Sequence, residues 1–322
     1  MESKSKLKHT WEAVSHGVGT YASVLIAVIV LGVAFSFASP YFFTGANLKN
    51  IGVYMSASGI IAAGVTVSML LGGLDLSQMS IMAFAGVMVG VAHQAGISGI
   101  GLLLVAVLCG VVGGVINAFV MNVLGIDPIL TTIGTQLIFR ALAYMISKGQ
   151  YYSISDPLIT WIGRGKLLGI STMIWITLIV YIIVGVMLKY TQFGRNVITI
   201  GGSSQAAYLS GINVKKTKTF AYIISATCAG LASLLFVAQA YTCAPNAGSG
   251  NDMDCIAAVV IGGLSVSGGK GSIIGTALGM LFFSMLANGM SLLSMDVYAQ
   301  KLVKGALLLL AVYIDIVRSK KN

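Results

Sequence analysis

The sequence predicts an all-α, polytopic membrane protein with about ten transmembrane segments, some of them broken or re-entrant. Three observations predict it. The chain of 322 residues is 57% hydrophobic, with a mean hydropathy of +0.93. Only 9% of its residues are charged, too few to clothe a water-soluble core of this size. Apolar runs close to the roughly 20 residues that a helix needs to cross a bilayer follow one another, with the charges confined between them. The short alternating segments of a transmembrane barrel are not seen.

The elements follow in order. Residues 1–17, with Lys4, Lys6 and Lys8, form a polar tail. The apolar run 18–38 is too long for the core of a secretion signal and has no convincing cleavage site, so it is the first retained span. Further segments fall at 50–71, 76–95, 100–122, 129–147, 172–190, 217–241, 252–263, 271–294 and 299–317. The eighth is too short to cross alone and reads as a half-helix, or as a span only together with the loop before it. Residues 318–322 close the chain as a second polar tail, and 1–322 forms a single transmembrane domain.

Charge sets the orientation. With the N-terminus in the cytoplasm, that side receives Lys4, Lys6, Lys8, Lys189, Arg195, Lys215, Lys216, Lys218, Lys270, Arg318, Lys320 and Lys321. The outside receives Lys49, Lys148, Arg164, Lys166 and Lys301. Cytoplasmic flanks of membrane helices collect lysine and arginine, so both termini and residues 191–216 are expected in the cytoplasm. The net charge of +10 has the same origin. No basic stretch carries interleaved stacking aromatics, so nucleic acid is not an expected partner; membrane lipid is.

Forty glycines punctuate the spans. Gly86 and Gly90 are four apart, as are Gly110 and Gly114, and Gly271, Gly275 and Gly279 continue the spacing. Such positions let helix backbones approach closely in lipid, here within one chain.

Two polar interruptions stand out. "LLGGLDLSQMS", Leu70–Ser80, sets Gly72, Gly73, Asp75 and Ser77 between apolar runs. A carboxylate at membrane depth is expensive and usually functional. Asp75 is expected to cap the helix beginning near Leu76, with contact to a transport path as the alternative. "VIGGLSVSGGKGS", Val260–Ser272, repeats Gly72, Gly73, Leu74 and Ser77 as Gly262, Gly263, Leu264 and Ser267, at a constant offset of 190. Paired Gly-interrupted segments point to a translocation site, because broken backbone at membrane depth survives only against protein or water. Asp252 and Asp254 sit where a short helix starts, with an external partner as the alternative role.

Chemistry is not expected of the chain itself. "GGKGS", Gly268–Ser272, lacks the spacing of a phosphate-binding loop. No nucleophile elbow and no zinc-protease pair occurs. His9, His16 and His93 form no metal-ligand cluster. Cys109, Cys228, Cys243 and Cys255 lack C-x-x-C spacing, which leaves a Cys243–Cys255 disulfide as one option. No catalytic residue, metal or cofactor is predicted.

One stretch is polar without being a break: "FGRNVITIGGSSQAAYLSGINVKK", Phe193–Lys216. Ser203 or Ser204 offers an N-cap, Gln205-Ala206-Ala207-Tyr208-Leu209 a short helix, and Gly211 a left-handed end. The small side chains of Ala206 and Ala207 suit close docking in a partner's cleft, and both are expected to face it.

Here the chain resembles a family. Permeases of ABC importers carry a cytoplasmic E-A-A-x-x-x-G motif, and Gln205–Gly211 matches its spacing with Gln for Glu. "GGLDLS" at 72–77, "NAFVMNVLGIDPILTTIGT" at Asn117–Thr135, the stretch from Phe193 and Cys255–Gly263 resemble, in order, blocks of permeases of the ribose/galactose/xylose type. Asp252 stands where that family often has Glu. The resemblance, over about 48 to 315, implies ten spans and residence in a bacterial cytoplasmic membrane. It implies a second permease subunit, either another copy or a paralogue. It implies a separate cytoplasmic ATPase docked on Ser203, Ser204, Gln205, Ala206, Ala207 and Gly211. A periplasmic or lipid-anchored sugar-binding protein would touch Asp252 and Asp254. Gly72, Gly73, Asp75, Ser77, Asn117, Gly262 and Gly263 would line or gate the path. Import of a monosaccharide or sugar-like molecule by alternating access is the expected function. The competing class, an ion-coupled secondary transporter, needs a membrane-embedded charge relay for which Asp75, Arg140 and Asp127 are the candidates. An intramembrane enzyme lacks any acid–base or metal set.

Overall fold

The computed structural model describes residues 21–319, with side chains to residue 313. The expected tail 1–17, the start of the first span and residues 320–322 lie outside the described residues. Among the described residues the chain is almost wholly helical. The elements are α1 (Tyr21–Ala38), α2 (Gly45–Leu70), α3 (Gln78–Gln94), α4 (Ile100–Asn122), α5 (Pro128–Ser147) and α6 (Pro157–Arg164). They continue as α7 (Thr172–Tyr190), α8 (Gln192–Gly202), α9 (Ser204–Leu209), α10 (Val214–Ala240), α11 (Asp252–Ile261), α12 (Ile273–Leu292) and α13 (Val297–Ser319). Two-residue strands β1 (Tyr152–Ser153) and β4 (Thr242–Cys243) pair antiparallel, as do β2 (Lys166–Leu167) and β3 (Ile170–Ser171).

Each expected segment has a helix, but seven of the described helices are long and apolar enough to cross a membrane. α3 has 17 residues, α11 is a half-helix of 10, and α13 carries Lys301 and Lys304 in its first half. α6 and α8 were not expected as helices. α6 starts where Asp156 accepts from Leu158 N at 2.8 Å and Pro157 fixes the first turn. α13 runs through Ser319, so the expected tail at 318 begins as helix.

α2 is the axis of the molecule. Every residue from Gly59 to Leu71 is buried, among α3, α7, α10, α11 and α12. With so little polar surface, the axis is pinned by hydrogen bonds between helices. Thr66 and Thr276 hydroxyls meet at 2.7 Å, and the Asn47 and Asn288 amides bond reciprocally at 2.8 and 2.9 Å. A close seam joins α4 to α10. A Cβ on Gly110 would stand 2.5 Å from Ala226 O, and one on Gly114 2.5 Å from Ile223 Cα. Gly275 and Gly279 of α12 lie closer still to the α11 segment, against Gly262 O and Ala258 O. These contacts are all within the chain, and they match the small-residue spacing. Gly86 is looser, 3.5 Å from the nearest side chain.

Cys243 and Cys255 are free thiols, both buried. Burial pushes the Cys243 thiol up to about 12, partly opposed by a backbone contact at Gly90. It is therefore a packing residue and not a nucleophile at neutral pH.

Candidate functional site

The first break is a hydrogen-bonded hub. α2 ends in a Schellman turn, with Gly72 N bonded to Met69 O and Gly73 N to Ser68 O, and Gly72 takes φ +82°. Residues 73–77 then link to α3 without regular secondary structure. Asp75 is buried, at 2% exposure, and it is fully engaged. Its Oδ1 accepts from Ser77 N at 3.1 Å and Ser77 Oγ at 2.6 Å, and its Oδ2 accepts from Ser225 Oγ of α10 at 2.8 Å. Asn117 Nδ2 of α4 donates to Ser77 Oγ at 2.9 Å, and its Oδ1 accepts from Thr135 Oγ1 of α5 at 2.7 Å. Gln78 lies against Ser225. Asp75, Ser77 and Asn117 are thus brought together.

Asp75 does not cap α3, contrary to expectation. The residue before that helix is Ser77, which makes no side-chain cap bond, and Asp75 instead braces the link between the helices and ties it to α10. A carboxylate two residues before the cap reaches the link's own N–H and O–H groups first.

The second break is assembled differently from its sequence likeness. α11 also ends in a Schellman turn, but its left-handed residue is Gly263, φ +90°, with Leu264 N bonded to Val259 O. The structural equivalent of Gly72 is therefore Gly263, one residue out of step with the identity at offset 190. Gly262 packs against α12, and Gly263 is exposed. Neither meets the Asp75 hub. The two breaks join instead where Gly269 N donates to Leu70 O at 2.9 Å.

Beside this junction stands α9. Ser203 Oγ accepts from Ala206 N at 3.2 Å, so Ser203 is the N-cap. Gly211, φ +80°, closes the helix, with its N bonded to Tyr208 O and Ile212 N to Ala207 O. The short helix ending at Gly211 matches expectation, but its orientation does not. Ala207 is fully buried within the chain, while Ala206, Gln205, Tyr208 and Leu209 face outward, the last two at 71% and 79% exposure. A cleft of about 1080 Å³ runs beside α9, bounded by Ser204, Gln205 and Tyr208, by Val123 and Gly125 between α4 and α5, and by Lys215.

At the far ends of α5 and α10 the chain folds inward between β4 and α11. Arg140 Nη1 of α5 donates to Pro245 O at 2.9 Å and Ala247 O at 2.8 Å, clamping that loop. Asp252 and Asp254 occupy the first turn of α11, as expected, and Asp254 pairs with Lys304 of α13. Hydrogen bonds to a charged group are each worth about 1.5–3 kcal/mol. In an Arg140→Ala background, thiol labelling of a cysteine placed at Ala247 should therefore rise by at least about tenfold. Unchanged labelling would show that the loop holds its place without the clamp.

Ser225, Thr135 and Arg140's carbonyl partners were not readable in advance, since hydroxyls on apolar helices resemble packing residues. Among the described residues no group of three or more His, Cys, Asp or Glu is placed to hold a metal.

Comparison with known proteins supplies the relatives. A profile of the family described as branched-chain amino acid transport system / permease component matches residues 47–312. The chain is 35% identical over 295 residues to the ribose import permease protein RbsC of Escherichia coli strain K12, covering 90% of this chain and 92% of that one. It is 35% identical over 305 residues to the L-arabinose transport system permease protein AraH of the same strain, covering 92% and 90%. To the D-allose transport system permease protein AlsC it is 32% identical over 302 residues, covering 93% and 92%. No solved structure matches the chain.

Proposed function

We propose that this chain, which belongs to the branched-chain amino acid transport system permease component family, is the membrane-spanning subunit of an ATP-driven importer for a monosaccharide or sugar-like molecule. One observation carries the reading: about a third of the residues are shared, over nine-tenths of both chains, with permeases named for three different monosaccharides. A sugar class follows from this, and no single sugar does.

The geometry supports a mechanism of alternating access driven from outside the chain. α9 is a rigid, capped helix with an outward face of Tyr208 and Leu209, suited to a cleft in a cytoplasmic ATPase. Gln205, without charge, would dock by shape and hydrogen bonding rather than by a salt bridge. Both helix breaks touch the last turn of α8, which leads into α9, so movement of the docked ATPase can reach them. The cargo arrives on a binding protein at the end that holds Asp252, and a second permease subunit completes the pathway. The ion-coupled alternative finds less support. Asp75 is bonded to hydroxyls, Arg140 to carbonyls, and Asp127 is an exposed cap on α5 accepting from Ile129 N, so the three form no relay.

Co-expression with its ATPase and binding protein tests this. The ATPase should co-purify with the wild type and be lost from Tyr208→Asp/Leu209→Asp. The permease itself should remain in the membrane, because those side chains are exposed. Labelled pentoses or hexoses should enter vesicles only with ATP inside. Uptake driven by an ion gradient without any ATPase would overturn the reading.

A further inference from the structure

Three glycine-bearing turns from distant parts of the chain meet main chain to main chain beside α9. Besides the Gly269 N to Leu70 O bond, Gly201, in the last turn of α8, touches both partners. A Cβ there would collide with Leu70 O and stand 2.5 Å from Gly269 N. One on Gly268 would stand 2.6 Å from Gly72 N and 3.2 Å from Gly201 Cα, and one on Gly269 2.8 Å from Gly202 N. Side chains can absorb a neighbour's shift by changing rotamer. Peptide groups in direct contact cannot, so close-packed backbone passes displacement on. The first break begins at Gly72, the second holds Gly268 and Gly269, and α9 begins three residues after Gly201.

We propose that Gly201, Gly268 and Gly269 form a side-chain-free joint that carries displacement of α8 and α9 into both helix breaks at once, with Gly201 as its positioning residue. This rests on the reading of the chain as an ATP-driven permease. Adjacent glycines supply the control. A Cβ on Gly202 meets nothing within 4 Å, and neither Gly201 nor Gly202 has a positive φ. Alanine at either raises helix propensity alike, and only at Gly201 does it wedge the joint.

The test uses the full assembly in vesicles. Gly201→Ala should keep its membrane level, retain the ATPase and hydrolyse ATP, while import falls by roughly tenfold or more. Gly202→Ala should import at nearly the wild-type rate. Wild-type import by Gly201→Ala, or an equal loss in Gly202→Ala, overturns the joint. A second measurement leaves the glycines intact: spin labels at Ser204→Cys and Ser267→Cys, with the four native cysteines replaced. Their separation should stay constant between nucleotide-free and ATP-trapped states, while the separation of Ser267→Cys from Asn246→Cys changes. A change between 204 and 267 overturns the proposal even if Gly201→Ala fails to fold. The labels are read without cargo, so a wild-type assembly that imports no sugar counts against the functional reading alone.

Discussion

Asp75→Leu is expected to leave little folded protein in the membrane, whereas Asp75→Asn should assemble. The carboxylate accepts three hydrogen bonds, and leucine would strand the Ser77 and Ser225 hydroxyls and the Ser77 N–H in a dry interior. Unmet buried groups and lost charge-assisted bonds together cost on the order of 5 kcal/mol. That is a large share of the roughly 5–15 kcal/mol that holds a domain folded. Asparagine keeps one acceptor for Ser77, and its amide can donate to Ser225 Oγ, so the expected loss is about 1–2 kcal/mol. Membrane abundance and thermal unfolding in mild detergent measure both. A leucine variant as abundant and stable as wild type would refute the hub's structural role. An asparagine variant that is stable yet silent in transport would assign the charge itself to the transport cycle.

The second large effect lies in the α4–α10 seam. Gly110→Ala/Gly114→Ala puts two methyl groups where Ala226 O and Ile223 Cα already sit. The helices must separate, and overpacking of this kind costs about 1–3 kcal/mol per site. The shift also moves Tyr222 and Ser225, which stand against Gly73 and Asp75. Unfolding in graded detergent should show the loss, while Gly134→Ala on α5, where a Cβ meets nothing within 4 Å, should be neutral or slightly stabilising. Equal behaviour of the two variants would mean that the seam is looser than the backbone contacts indicate.

What could be read in advance follows from how strongly each feature is encoded. Long apolar runs announce themselves through lipid solubility, so the spans stood out. Asp75 and the paired glycines stood out because hydrocarbon tolerates neither charge nor broken backbone cheaply. The end of α9 was legible at Gly211, because a left-handed turn demands glycine. Which way Ala207 points was not legible, since six residues carry too little periodicity to define a face. The likeness of Gly262–Gly263 to Gly72–Gly73 misled by one residue, because letters can repeat where turns do not. α8 was hidden by its glycines and polar side chains, and the partners of Asp75 and Asn117 by the mildness of Ser225 and Thr135.

The six-residue length of α9 has one more consequence. Isolated helices shorter than about 12–15 residues are marginal in water, so this one owes its shape to the pocket that holds Ala207. The shape is borrowed from the folded membrane core. A newly made chain whose spans have not yet packed has the same letters at 204–209 but nothing to keep them coiled. A partner that recognises the coil would therefore meet it only after the core around Ala207 has packed.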